Sequence, residues 1–187
     1  KLSAENIFVH HKLAYDLKFF SSKHNIIPCG VDTKIFYPIL KSKARKELNW
    51  KPNLNYVLFC SSFKNKIKNV SLAQSAIKKI KNTVLIELKD FQKTEINLML
   101  NASDLLLVTS LSETGPIIVK EALSCNCPVV STDVGDVKEI IKNIDNCYLT
   151  NYDPNQLSEI IKKVIKLNTR PNGRDHIKKY DLNTIAK

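Results

Sequence analysis

Glycine is scarce, with four residues in 187. No glycine-rich phosphate-binding fingerprint can be assembled from them, so a dinucleotide-binding site of that kind is disfavoured. Long apolar runs are also missing. None approaches the ~18 residues of a membrane span, and the opening residues, KLSAEN, hold no apolar signal core. The sequence does not open on Met, and we expect a piece of a longer protein. Cysteines are few and odd in number: Cys29, Cys60, Cys125, Cys127 and Cys147. Without a signal segment, this predicts reduced thiols in the cytoplasm. Cys125 and Cys127 are too close for the usual metal spacing and are expected to act as small buried hydrophobes. His10 and His11 are adjacent and would diverge on a helix. His24 and His176 stand alone, so neither a metal centre nor a nucleophilic triad is expected.

What is present is a globular composition, 43% hydrophobic and 25% charged. That suffices for one domain with a core and a fragment of a second. The formal charge is +11, which favours anionic partners and leaves room for peripheral contact with an acidic membrane face. The lysines are dispersed, without the clustered basic residues and aromatics of a nucleic-acid surface, so no nucleic-acid partner is expected.

Short apolar runs alternate with helical patterns. Residues 56–60, 84–88, 104–108, 128–131 and 147–149 read as strands. Helices are expected between them, over 72–80, 94–101, 116–125, about 137–141, and finally 157–164. Continuous apolar strands separated by helices imply a parallel sheet covered on both faces. The fold class is therefore α/β, a doubly wound, Rossmann-like domain over 41–187. Ligands of such sheets bind beyond the carboxyl ends of the strands, here 61–68, 89–93, 109–115 and 132–136. Residues 1–40 differ: a strand at 6–9, a helix at 11–20, a strand at 24–28 and a connector bounded by Pro38. We read them as the tail of a preceding domain and a hinge.

The richest stretch is TSLSETGPIIVKE, residues 109–121. Pro116 suits the first helical position. Free N–H groups of Ile117 and Ile118, with the helix dipole, would form an anion site for a diphosphate. Glu113 and Glu121 flank it, on the order of 10 Å apart if the intervening chain is partly helical. Carboxylates accept hydrogen bonds from vicinal hydroxyls, so the pair fits a ribose and a hexose on either side of a diphosphate. After the first strand, Lys64, Lys66 and Lys68 ring a turn, and Lys68, beside the helix start, is the best phosphate ligand of the three. Gly135, after the fourth strand, would permit close backbone approach to a ligand.

These residues together resemble glycosyltransferase family 4, retaining enzymes of GT-B fold with an E-x7-E motif. The resemblance rests on 101–110 (NASDLLLVTS), Glu113 to Glu121, and 122–139 (ALSCNCPVVSTDVGDVKE). IPCGVD at 27–32, with Phe36-Tyr37-Pro38, is similar to the family's interdomain segment. The resemblance spans about 26–165 and implies the C-terminal, donor-binding domain. It places Glu113 on the donor sugar, Glu121 on the ribose hydroxyls and Lys68 on the diphosphate; Gly115 and Pro116 are expected in the same binding site, beside Ile117 and Ile118. It implies no cofactor and a UDP- or GDP-sugar as donor. The acceptor, a glycan or a lipid-linked one, would be held by an N-terminal domain outside this sequence. Two positions depart from the family: Ser62-Phe63 replaces a Gly-Arg element, leaving Lys64 as the substitute cation, and Thr114 stands where Gly is usual. The rival readings are a nucleotide-sugar epimerase and a non-catalytic nucleotide- or nucleic-acid-binding module.

Overall fold

The computed structural model describes residues 6–16 and 24–186. A small parallel pair, β1 (Asn6–Phe8) and β2 (His24–Ile26), lies beside helix α1 (His11–Asp16). Residues 17–20 of the helix expected there fall outside the described residues. A connector then leads to α2 (Lys41–Glu47), a helix the sequence patterns did not reveal. The larger sheet holds β3 (Asn55–Phe59), β4 (Thr83–Glu87), β5 (Leu105–Val108), β6 (Val129–Thr132) and β7 (Tyr148–Thr150). All pairings are parallel, in the order β4-β3-β5-β6-β7. The doubly wound α/β fold is found, each expected strand within about a residue of its place.

The sheet is buried on both faces because alternate strand residues serve different cores. Val57, Phe59, Leu105, Leu107 and Val130 pack with α3 (Val70–Ile77) and α7 (Pro154–Leu167). Leu58, Leu106, Val108 and Val129 pack with α4 (Lys93–Ala102), α5 (Ile117–Ser124), α6 (Val137–Ile141) and α8 (Gly173–Ile177). Helix starts follow local chemistry. The Asp153 carboxylate accepts from Asn155 N (2.9 Å) with Pro154 in the first turn of α7. Gln92 and Glu95 form a capping box on α4.

With so little glycine, asparagine takes the left-handed positions. Asn49, Asn69, Asn82, Asn126, Asn143, Asn146 and Asn168 all have φ between 46° and 63°. After glycine, asparagine is among the residues that tolerate this region best, because its short amide can bond locally. Asn168 thereby ends α7, and Asn69 turns the chain from a 3₁₀ turn (Lys66–Lys68) into α3.

The connector is pinned to the domain by side chains with several partners each. Asn97 and Asn101 accept from Tyr37 N (3.1 Å) and Ile39 N (2.7 Å). Arg174 donates to Phe36 O (2.7 Å) and Thr33 O (2.9 Å). A final short helix, α9 (Leu182–Ile185), closes on the same segment: Val31 N donates to Tyr180 O (2.9 Å), and Leu182 N to Val31 O (3.1 Å).

Candidate functional site

Successive strands run from β3 out to β4, then back past β3 to β5. The winding direction therefore reverses between β3 and β5, and the crevice beyond their carboxyl ends is where ligands of such sheets sit. Two loops meet there. The loop after β3 carries Lys68 at the end of its 3₁₀ turn, and the loop after β5 carries Glu113. Leu111 N donates to Ile67 O (2.8 Å), and the Thr109 hydroxyl donates to the carbonyls of Lys68 (2.8 Å) and Asn69 (3.0 Å). With the loops stitched together, the Lys68 ammonium forms an ion pair with Glu113 Oε1, both side chains largely buried. Ser110 Oγ donates to the same oxygen (2.6 Å). Ser110 is itself held by its carbonyl, which accepts from Thr132 Oγ1 (2.7 Å) and Tyr152 OH (3.2 Å). Sequence reasoning missed Thr109 and Ser110. Both lie in the loop expected to bind ligand, but no role was assigned to either.

Pro116 occupies the cap position of α5, not the first helical residue as expected, and Ile117 opens the helix. The N–H groups of Ile117 and Ile118 still precede the first intrahelical bonds and face the loop side. Gly115 precedes Pro116, and a Cβ on it would lie 3.5 Å from Asp136 Oδ1. Lys64 and Lys66 are exposed on the β3 loop, and no ion pair joins either one to this cluster among the described residues. At Gly135, φ +54°, a Cβ would lie 3.0 Å from Gly115 N and 3.2 Å from Glu113 O. Its close approach is to the protein's own 113–115 loop, which a side chain would displace.

Glu121 sits a turn inside α5, partly buried, and its carboxylate makes no hydrogen bond or ion pair among the described residues. Burial pushes its pKa up from 4.5 to about 7, and the Lys93 ammonium at the start of α4 only partly offsets this. A raised carboxyl pKa favours the folded state while the group is protonated. That contribution is complete below about pH 4.5 and is lost as pH rises to 7. Glu121→Gln is therefore expected to stabilise the ligand-free protein at pH 8, on the order of 1–2 kcal/mol, and to change little at pH 4. Urea unfolding at the two pH values checks this, and a variant weaker than the parent at pH 8 would refute it.

Burial pushes the Cys60 thiol up to about 11 and raises those of Cys125 and Cys127 as well, which makes them poor nucleophiles. All five cysteines are free, and Cys125 and Cys127 are fully buried, as small hydrophobes would be. Among the described residues no cluster of three metal-ligating side chains occurs, and no described helix is long and apolar enough to cross a membrane. A cavity of about 520 Å³ lies at the opposite, amino edge of the sheet. Its charges are already paired: Lys41 with Asp104 in the same wall (2.5 Å), and Arg170 with the carbonyls of Leu100, Asn101 and Ser103.

Residues 84–183, more than half the chain, match the family of glycosyl transferases group 1. The chain belongs to this family. It is similar to N,N'-diacetylbacillosaminyl-diphospho-undecaprenol alpha-1,3-N-acetylgalactosaminyltransferase of Campylobacter jejuni, 25% identical over all of this chain and 59% of that protein. Among solved structures it resembles sucrose-phosphate synthase from Thermosynechococcus elongatus, with TM-score 0.85, 19% identity, and coverage of 97% of this chain and 55% of that one. It also resembles HepE from Anabaena in complex with UDP-glucose, with TM-score 0.82, 17% identity, and coverage of 99% and 62%. The chain thus spans about three-fifths of the length of these relatives. The structural likenesses establish the fold, that of the Rossmann-like domain of GT-B glycosyltransferases.

Proposed function

We propose that this glycosyltransferase domain binds the donor of a retaining, family 4 enzyme: a UDP- or GDP-sugar whose hexose passes to a glycan or lipid-linked acceptor. The observation that carries the reading is the meeting of Lys68, Glu113 and the open start of α5 at the switch point of the sheet. The diphosphate would lie across the N–H groups of Ile117 and Ile118. Lys68 would reach it without leaving Glu113, since an ammonium has three donors. Charge building on the departing diphosphate would be stabilised by the helix start and Lys68. Glu113 would position the sugar, and Glu121 would take the ribose hydroxyls. Lys64 lies on the same loop, free to add charge. No metal enters this scheme.

Residues 1–40 would be the tail of an acceptor-binding domain and its connector, and 41–187 the donor domain. The Campylobacter relative acts on an undecaprenol-linked acceptor, as its name states, which supports a lipid-linked substrate here. Work at the cytoplasmic membrane face would suit the +11 charge.

The test is titration of the chain with UDP, GDP, UDP-glucose, GDP-mannose and an oligonucleotide at two salt concentrations. Weak, saturable nucleotide binding without sugar transfer is expected. Binding of the oligonucleotide alone, with a steep salt dependence, would overturn the reading. Lys68→Ala is expected to weaken diphosphate binding by roughly 1.5–3 kcal/mol, the range for a charged hydrogen bond, and to leave the nucleoside nearly unchanged. Equal losses for both would remove Lys68 from the phosphate site.

A further inference from the structure

Lys120 is fully buried, an unusual fate for a lysine. It lies on the inward face of α5, next to Glu121 on the outward one. Its ammonium stands 3.0 Å from Asp136 Oδ2 and 4.9 Å over the ring of Tyr180. Asp136 is itself 7% exposed, and its other oxygen, Oδ1, is buried with no hydrogen-bond partner. That oxygen lies 3.5 Å from the point a Gly115 Cβ would occupy. The turn carrying Asp136 thus forms the floor of the loop that bears Glu113. On the far side, the Tyr180 carbonyl accepts from Val31 N in the connector. A buried ion pair is weak evidence for stability, because apolar residues of the same volume often serve as well. Its place here, one end under the donor loop and the other on the connector, is better explained by geometry than by stability.

We propose that Lys120 and Asp136 are positioning residues for the donor sugar. Building on the donor-site reading above, the pair holds the 113–115 backbone where Glu113 can address the hexose, and ties that loop through Tyr180 to the connector. Lys120 anchors one carboxylate oxygen from below, which aims Asp136 at Gly115. Without the cation the carboxylate seeks water and the loop follows it. The nucleotide, held by Lys68, Glu121 and the helix start, is not affected by that displacement.

The experiment combines hydrogen exchange with titration on the whole chain, comparing the parent with Lys120→Met, Asp136→Asn and Lys120→Arg. Peptides covering 109–117 should exchange at least tenfold faster in Lys120→Met and Asp136→Asn, with β3 unchanged. The ratio of UDP-glucose to UDP affinity should fall at least tenfold in both, while UDP affinity moves less than threefold. Lys120→Arg, which keeps the charge, should recover much of that ratio. Lys120→Met and Asp136→Asn each strand one buried charge; Lys120→Met combined with Asp136→Ala, which removes both, stays folded if they do not, and should show the same faster exchange and lower ratio. Unchanged loop exchange in both variants overturns the proposal. So does a parallel loss of UDP and UDP-glucose affinity, the mark of a merely structural pair. If the parent binds no nucleotide or nucleotide sugar, the donor reading fails and the sugar-positioning role with it, while the exchange data still decide whether the pair holds the loop.

Discussion

Lys120→Met is expected to lower the free energy of unfolding by about 3–5 kcal/mol, the cost of leaving one charge of a buried pair uncompensated. Lys120 is fully buried and Asp136 nearly so, so water reaches the stranded charge only if the loop above it is displaced. Met has nearly the length of the lysine stem, and volume-conserving swaps cost under about 1.5 kcal/mol. The deficit is therefore electrostatic. For a domain of this size it corresponds to a drop in Tm of roughly 6–20 °C. Adding Asp136→Ala to Lys120→Met should restore much of the stability, since both charges are then gone. The exposed pair Lys162–Glu159, at 2.8 Å, is the control; Lys162→Met should cost below about 1 kcal/mol. Urea unfolding of these three variants and of Asp136→Ala alone checks the set. A double variant whose loss equals the sum of its singles would show that the two charges do not interact.

Glu121→Gln and Glu113→Gln are expected to separate by ligand. Ribose is common to UDP and UDP-glucose, so Glu121→Gln should weaken both by similar factors. Glu113→Gln should spare UDP, or tighten it slightly, because it releases Lys68 from its ion pair. In the complete enzyme it should instead lower kcat, on the order of a hundredfold, as loss of a group acting on developing charge does. Acidity gives a second signature. With a pKa of about 7, roughly a tenth of Glu121 is ionised at pH 6 and nine-tenths at pH 8. If ribose needs the carboxylate, UDP-glucose affinity rises up to about tenfold over that interval, and Glu121→Gln abolishes the rise. Titration calorimetry reads both effects. Two variants that bind UDP and UDP-glucose as the parent does would reduce the pair to ordinary surface carboxylates.

Much of this was legible beforehand because the strands are short and largely apolar. Leu105, Leu106, Leu107 and Val108 are each fully buried, and no partly exposed sheet would accept them. Pro116 and Gly115 marked the turn into α5, though one residue differently from expectation: the ring sits at the cap, where its carbonyl accepts from Val119 N (3.1 Å). The helix α2 escaped notice because it buries only Ala44 and so has no apolar stripe. Helices α8 and α9 are a single turn or so each and carry too few residues for a period to show.

The order of residues alone determined that a parallel, two-sided sheet forms, that its carboxyl-end loops carry Lys68 and Glu113, and that Glu121 lies in the helix that follows. Periodicity and punctuation are local properties, and both are written in neighbouring residues. Only the tertiary structure decided which loops meet. The order β4-β3-β5 places the Lys68 loop against the Glu113 loop, 45 residues apart in sequence. The tertiary structure likewise brings Lys120 of α5 onto Asp136 after β6 and sets Gly135 against Gly115. Such contacts depend on where whole helices cross the sheet. That is settled by the burial of both faces at once, and no single window of sequence contains it.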